Sequence, residues 1–295
     1  MERSDARRLS IAAALVVIAF AGACTSSPSA TQRGAEPVAV PVANFSPAPS
    51  TVGSGSGGAM ADDGSLSDDG SMANGVSLSD GVSGPRAISV QDGMATLLDE
   101  THSLTDPASP WVIVNKTTQL SPDYAPTDLT TPNLPIAGGN GSLRLDAANA
   151  LTALSKAAEA ELGQPLQLVS GFRPFDYQGN LYRNYFAEHG QERADTFSAR
   201  AGFSEHQSGL AADVTEVGGD MNNFGATDLG RWTAENAWRF GFIVRYTEAN
   251  RGITGYMPEP WHLRYIGEPL AKYYHGSGAI SLETLFGLPP APNYS

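Results

Sequence analysis

Cysteine is almost absent from this chain. Its 295 residues include one, Cys24, so no disulfide can form within the chain and the lone thiol needs another reason to be there. Positive charge is scarce as well: 18 lysines and arginines face 31 aspartates and glutamates, a formal net charge of −13. That balance argues against a nucleic-acid partner, because duplex binding needs a basic stripe that releases counterions. The lysines are Lys116, Lys156 and Lys272, and none has a serine three positions before it, so a Ser-x-x-Lys nucleophile is excluded. The apolar run from Ile11 to Phe20 falls short of the roughly 20 residues a spanning helix needs.

What the N-terminus does have is an order of features. Arg3, Arg7 and Arg8 precede that apolar run, and Ala21-Gly22-Ala23-Cys24 follows it. A basic segment, a short apolar segment and small residues at a cut site make residues 1–24 an export signal. Arg7-Arg8 hints at twin-arginine export without the rest of that motif. Ala21-Gly22-Ala23-Cys24 resembles a lipobox, which implies acylation of Cys24, a membrane anchor and an extracytoplasmic location. It departs from the usual pattern in having Ala21 where leucine is common, which leaves open an ordinary cleaved signal with a coincidental cysteine. Acyl chains at about 0.8 kcal/mol per buried CH₂ would hold the mature protein on the membrane.

Residues 25–92 are rich in Ser, Gly, Ala, Pro and Asp and nearly free of aromatics, and Ser65-Leu66-Ser67-Asp68 recurs as Ser77-Leu78-Ser79-Asp80. Such a composition buries too little apolar surface to offset chain entropy, so a disordered linker is expected. As a flexible tether it has a mean reach of roughly 45 Å. Regular apolar patterning starts near residue 93, and 93–295 is expected to be one folded domain.

Within it, Trp111–Val114 reads as a short strand and Asp146–Leu162 as an alanine-rich helix with Leu145, Ala148, Leu151 and Leu154 on one face. Leu166–Val169 alternates as a strand, and Tyr177–His189 is a helix stopped at Gly190. Leu210–Val214 is a strand, Leu229–Phe240 a helix closed by Gly241, and Phe242–Tyr246 a strand. Trp261–Tyr265 and a helical turn at Leu282–Leu285 complete the pattern. Helices and strands interleave without a βαβ rhythm, which points to an α+β fold.

Five histidines occur, and two sit in unusual company: His206 in Ser204-Glu205-His206-Gln207-Ser208-Gly209-Leu210-Ala211-Ala212-Asp213, and His262 in Glu259-Pro260-Trp261-His262. Two histidines and one carboxylate suit a catalytic zinc site with an open fourth position. A straight strand would put His206 and Asp213 on opposite faces, so the chain must bend at Ser208-Gly209. Glu259 and His262 need a similar adjustment, for which Pro260 provides a turn. Composition and spacing alone leave open whether these residues are ligands or structural. Trp232, Trp238 and Phe240 read as core. Trp261 reads as pocket wall or packing, Arg245 and Arg264 as structural ion-pair partners, and His102, His189 and His275 as surface.

Five blocks, Ser170-Gly171-Phe172-Arg173 through Gln178, Ser204 through Asp213, Gly241 through Tyr246, Thr254-Gly255-Tyr256 and Glu259 through Tyr265, resemble the VanY-type D-alanyl-D-alanine carboxypeptidases (peptidase family M15) in order and spacing. The resemblance spans about Trp111 to Leu285. It implies the hedgehog/D,D-peptidase fold, a small antiparallel sheet flanked by helices, and a zinc ion held by His206, Asp213 and His262. It further implies Glu259 as general base and acid, Arg173 against substrate or transition state, and Gln178 and Ser204 in binding the substrate's terminal residue. The expected substrates are D-Ala-D-Ala ends of peptidoglycan stem peptides, and the expected state is a monomer. Shared motifs leave open an L,D-carboxypeptidase acting on tetrapeptide stems and an endopeptidase. A wall-peptide-binding module without activity is the third alternative, though the intact Glu259 speaks against it.

Overall fold

The computed structural model describes residues 88–138 and 140–295. The signal segment, Cys24 and the linker up to residue 87 lie outside the described residues. Folded structure starts inside the stretch expected to be linker. Strands β1 (Ser89–Gln91), β2 (Met94–Leu97) and β3 (Glu100–Ser103) form an antiparallel meander. Asp92 and Gly93, with φ of 52° and 73°, make the two-residue turn between β1 and β2. Asp-Gly is favoured there because both central residues of a type I′ turn need positive φ.

The expected strand Trp111–Val114 is not one. Its alternation is real: Val112 and Val114 face the main core, whereas Trp111 and Ile113 face a second cluster with Leu270, Leu282 and Phe286. Among the described residues no strand pairs with it. Instead Arg264 Nη2 donates to the carbonyls of Pro110 and Val112, taking up acceptors that a ladder would otherwise use.

Strands β4 (Leu129–Thr130) and β5 (Leu143–Arg144) pair briefly before helix α1 (Leu145–Leu162). The α1 face differs from expectation at its start, since Leu145 is 48% exposed; Ala148, Leu151 and Leu154 are buried as expected. Gly163 ends the helix in the left-handed region. Strand β6 (Leu166–Ser170) leads to α2 (Phe175–His189) and the short α3 (Gln191–Ala194). Strand β7 (Ala211–Glu216), α4 (Met221–Phe224) and α5 (Asp228–Asn236) follow. The helix expected to run to Phe240 breaks at Asn236 into a 3-10 turn over Ala237–Phe240, and Trp232, Trp238 and Phe240 are only partly buried.

Strand β8 (Phe242–Tyr246), α6 (Arg251–Thr254), β9 (Glu259–Tyr265), α7 (Glu268–Ser277) and α8 (Leu282–Leu285) complete the chain. The four long strands form one antiparallel sheet in the order β6-β7-β9-β8. Leu151 and Leu154 of α1, Leu166, Leu168, Val214 and Leu263 of the sheet, and Phe224 and Leu229 share one apolar core. Each such buried side chain contributes about 1.5–3 kcal/mol of transfer free energy. This is the α+β arrangement of a small antiparallel sheet flanked by helices.

The end of the chain is tied down beside this core. Ala291 N donates to Ile253 O, Lys116 Nζ donates to the carbonyls of Gly255 and Pro292, and Tyr294 Oη accepts from Arg200 N. Among the described residues no helix is long and apolar enough to cross a membrane.

Candidate functional site

The central strand pair sets the site. Asp213 of β7 lies directly opposite His262 of β9, so their side chains share one face. His206 reaches the same point because the chain makes a buried 3-10 turn over Glu205–Ser208, closed by Gly209 at φ 71°. The bend expected at Ser208-Gly209 is therefore the means by which an odd sequence offset becomes one cluster. At the far end of β9, the register with β8 shifts between Val244 opposite Leu263 and Tyr246 opposite Glu259. That irregularity, not a separate turn at Pro260, brings Glu259 beside His262, with Oε2 3.7 Å from Nδ1. A second bulge in β6 sets Ser170 opposite Asp213.

One ligand atom each from His206, Asp213 and His262 lies within 4.8 Å of the other two, and all three residues are buried. For His206 the ring hydrogen bond identifies that atom. His206 Nδ1 contacts the carbonyl of Gly171 at 2.7 Å, so Nδ1–H donates and Nε2 keeps its lone pair. This approach requires glycine at 171, since a Cβ there would lie 2.3 Å from the Ser142 carbonyl oxygen. His206 Nε2 is buried without a hydrogen-bond partner, 3.2 Å from Asp213 Oδ2. His262 Nε2 contacts Glu205 Oε2 at 3.2 Å, and Nδ1 lies 3.1 Å from Asp213 Oδ1.

Electrostatics fit a cation at this point. Burial pushes His206 down to about 4, with Arg173 adding to the effect and Asp213 opposing it, so its ring is neutral, as a metal ligand must be. Burial also acts to lower His262, but its hydrogen bonds to Asp213 and Glu205 overcome this and hold it up at about 9. Surroundings that favour positive charge on this ring also favour a divalent cation beside it. Burial pushes Glu259 up to about 8, His262 pulling against it and Asp213 adding to it. A carboxyl poised near neutrality can both take and give a proton.

Arg173 Nη1 donates to Ser170 Oγ at 3.1 Å and Asp213 Oδ2 at 3.4 Å, while its Nε is buried without a hydrogen-bond partner. Gln178 is buried; its Nε2 donates to Ala199 O at 2.7 Å, and its Oε1 has no hydrogen-bond partner. Ser204 is buried on the same cleft, which Tyr246, Tyr256 and Trp261 also wall. His206, Asp213, His262, Glu259, Arg173, Gln178 and Ser204 thus line one pocket. Trp261 both packs in the core and lines the cleft. Of the other histidines, His275 is exposed, whereas His102 and His189 are half-buried against Trp111 and Phe197.

Sequence reasoning passed over Glu205, Tyr246 and Tyr256. Arg245 and Arg264 are ion-pair partners, as expected, and their partner is Glu205: Arg245 Nε donates at 2.8 Å and Arg264 Nη1 at 3.0 Å. Burial alone would raise the Glu205 carboxyl, but these two guanidiniums hold it well below the usual carboxylate range. The adjacency of Glu205 to His206 was the available signal; its partners lie too far along the chain to be read from sequence.

Residues 140–268 match the VanY family model, described as D-alanyl-D-alanine carboxypeptidase. YodJ of Bacillus subtilis (strain 168), provisionally named a carboxypeptidase, is 36% identical over 196 residues, covering 64% of this chain and 71% of that protein. Among solved structures, the LdcB LD-carboxypeptidase is similar with a TM-score of 0.58 and 35% identity over 68% of this chain and 92% of that one. A point mutant of the vancomycin-resistance D,D-pentapeptidase VanY, in complex with Zn(II), has a TM-score of 0.50 and 32% identity over 59% of this chain and 97% of that one.

Proposed function

This chain belongs to the VanY family of zinc metallopeptidases, and on that premise we propose that it removes the C-terminal D-alanine from peptidoglycan stem peptides ending in D-Ala-D-Ala. The carrying observation is the convergence of His206, Asp213, His262 and Glu259 in one buried cleft with two unsatisfied polar groups, Arg173 Nε and Gln178 Oε1.

His206 Nε2, an Asp213 carboxylate oxygen and His262 Nδ1 would hold the zinc. When bound there, zinc supplies Lewis acidity, which polarises a carbonyl and makes water acidic near neutral pH. Glu259 takes the proton of the attacking water and passes it to the leaving amine, a role worth roughly 10²–10⁴-fold. Arg173 offers its remaining donors to a carboxylate or to the tetrahedral oxyanion. Gln178 Oε1 accepts an N–H of the terminal residue, and Ser204 adds a hydroxyl to the same subsite. Trp261, Tyr246 and Tyr256 limit water in the cleft.

An L,D-carboxypeptidase acting on tetrapeptide stems is the second reading. It is favoured by the more complete overlap with the LdcB structure, at 68% of this chain against 59% for the VanY zinc complex. Incubating the zinc-loaded protein with defined pentapeptide and tetrapeptide muropeptides, and weighing the products by mass spectrometry, separates the two. Loss of D-alanine from the pentapeptide is expected; loss only from the tetrapeptide favours the second reading, and no cleavage of either overturns both. We further infer an extracytoplasmic monomer, held to the membrane by acylated Cys24 and facing the wall.

A further inference from the structure

His262 is unlike His206 in what holds its second nitrogen. His206 leans on a backbone carbonyl, but His262 leans on a carboxylate that is itself fully buried and clamped. Glu205 Oε2 faces His262 Nε2 at 3.2 Å, and Glu205 Oε1 accepts from Arg245 Nε at 2.8 Å and Arg264 Nη1 at 3.0 Å. Arg245 is fixed in turn by Glu283 of α8, with Nη2 2.7 Å from Oε1 and Nη1 3.1 Å from Oε2, and Asn115 Nδ2 donates to the same Oε1 at 3.1 Å. All four charged side chains are at most 1% exposed.

Two carboxylates and two guanidiniums balance in charge, so the cluster can stay ionised in the interior. Carboxylates face both ring nitrogens, but Asp213, at Nδ1, also faces His206 Nε2 and belongs to the candidate metal cluster, whereas Glu205, at Nε2, is held outside it by Arg245 and Arg264. With a cation at the cluster, Glu205 keeps the proton on Nε2 and leaves the Nδ1 lone pair for the metal. Glu205 is also the residue before His206, on the turn that delivers the first histidine. One side chain therefore links the turn carrying one ligand to the ring of another.

We propose that Glu205 is a positioning residue of the metal centre: clamped by Arg245 and Arg264, it fixes the tautomer and ring orientation of His262 so that Nδ1 ligates zinc. The inference rests on the zinc reading above. Partners of this kind are generally worth 10–100-fold in metal affinity.

Two measurements test it. In the zinc-loaded native protein labelled with ¹⁵N-histidine, long-range ¹H–¹⁵N spectra report which ring nitrogen is protonated. The expected pattern is Nε2–H on His262 and Nδ1–H on His206; ligation of zinc through His262 Nε2 overturns the proposal whatever any variant does. Second, zinc affinity is measured by competition with a chromogenic chelator for the native protein, Glu205→Gln and Glu283→Gln. Glu205→Gln is expected to bind zinc 10–100-fold more weakly. Glu283→Gln, which removes a charge from the same cluster without touching His262, is expected to lower the melting temperature at native zinc affinity. Native affinity in folded Glu205→Gln, or equal losses in the two variants, overturns the positioning role while leaving the zinc reading intact. A native protein that binds no zinc overturns both.

Discussion

At the scale of single residues, Glu259 and His262 divide the work although they lie three apart on one strand. His262 is locked by carboxylates on both ring nitrogens, whereas Glu259 is raised chiefly by burial, against His262 at 3.7 Å and Arg173, which lower it. A substitution at Glu259 should therefore spare the metal. Glu259→Gln keeps the side-chain shape and is expected to retain zinc at one equivalent by atomic absorption. Its kcat should fall by about 10²–10⁴-fold, the usual worth of a positioned acid–base group. Zinc loss in this variant would mean that Glu259 is a ligand. This much of the site was legible in the sequence because its ligands lie in short motifs. Glu205 was legible as a residue but not as a role, since its meaning comes from Arg245, Arg264 and Glu283, some 40 to 78 positions away.

Elements show where local pattern succeeds and where it stops. Helix α1 beyond Leu145 and strand β6 carry apolar periodicities that their final positions satisfy, whereas β7 and β8 are short apolar runs buried along almost their whole length. Trp111–Val114 carries the right periodicity too, yet an arginine side chain stands where a partner strand would be, and no local rule anticipates that. The β1–β2 hairpin is the opposite case: Asp92-Gly93 between alternating residues was a readable turn signal, lost because the preceding polar stretch was extended through it. The C-terminal segment is wholly non-local. Its fastening residue, Lys116, has lost water through burial, which Asp195 opposes and Arg200 reinforces, and its ammonium is brought down from 10.5 to about 8. Between those values the unfolded chain binds the proton that the folded chain has released, so Lys116 makes stability rise with pH from about 8 towards 10.5. The slope vanishes below about 8, where both states are protonated. Tyr256 and Tyr294, both raised by burial, oppose it only above about 10. His262, held up at about 9, and Glu259, at about 8, make stability fall with pH up to those values, so Lys116 is read as a difference. Urea midpoints measured from pH 7.5 to 9.5 are expected to rise in the native protein relative to Lys116→Met, and equal slopes in the two would remove Lys116 from this account.

For the molecule as a whole, the proposed arrangement is an anchored catalytic domain searching the wall at the end of a tether. The anchor rests on Cys24, which is the chain's single thiol. Bacteria expressing the chain and fed an alkyne-tagged fatty acid should label it at the membrane, and Cys24→Ala should abolish the label and release the protein. Labelling that survives the substitution would place the lipid elsewhere, and a native chain that takes up no label would leave an ordinary cleaved signal.

The pairing of Asp213 with His262 across β7 and β9 has a consequence for how this scaffold tolerates change in length. Side chains alternate faces along a strand, so one residue inserted into or deleted from either central strand would rotate a ligand to the far side of the sheet. The outer meander of β1, β2 and β3 carries no residue of the cleft. Insertions, fusions and grafted loops belong there or in its turns, whereas the segments from Glu205 to Asp213 and from Glu259 to His262 admit exchange of side chains but not of spacing.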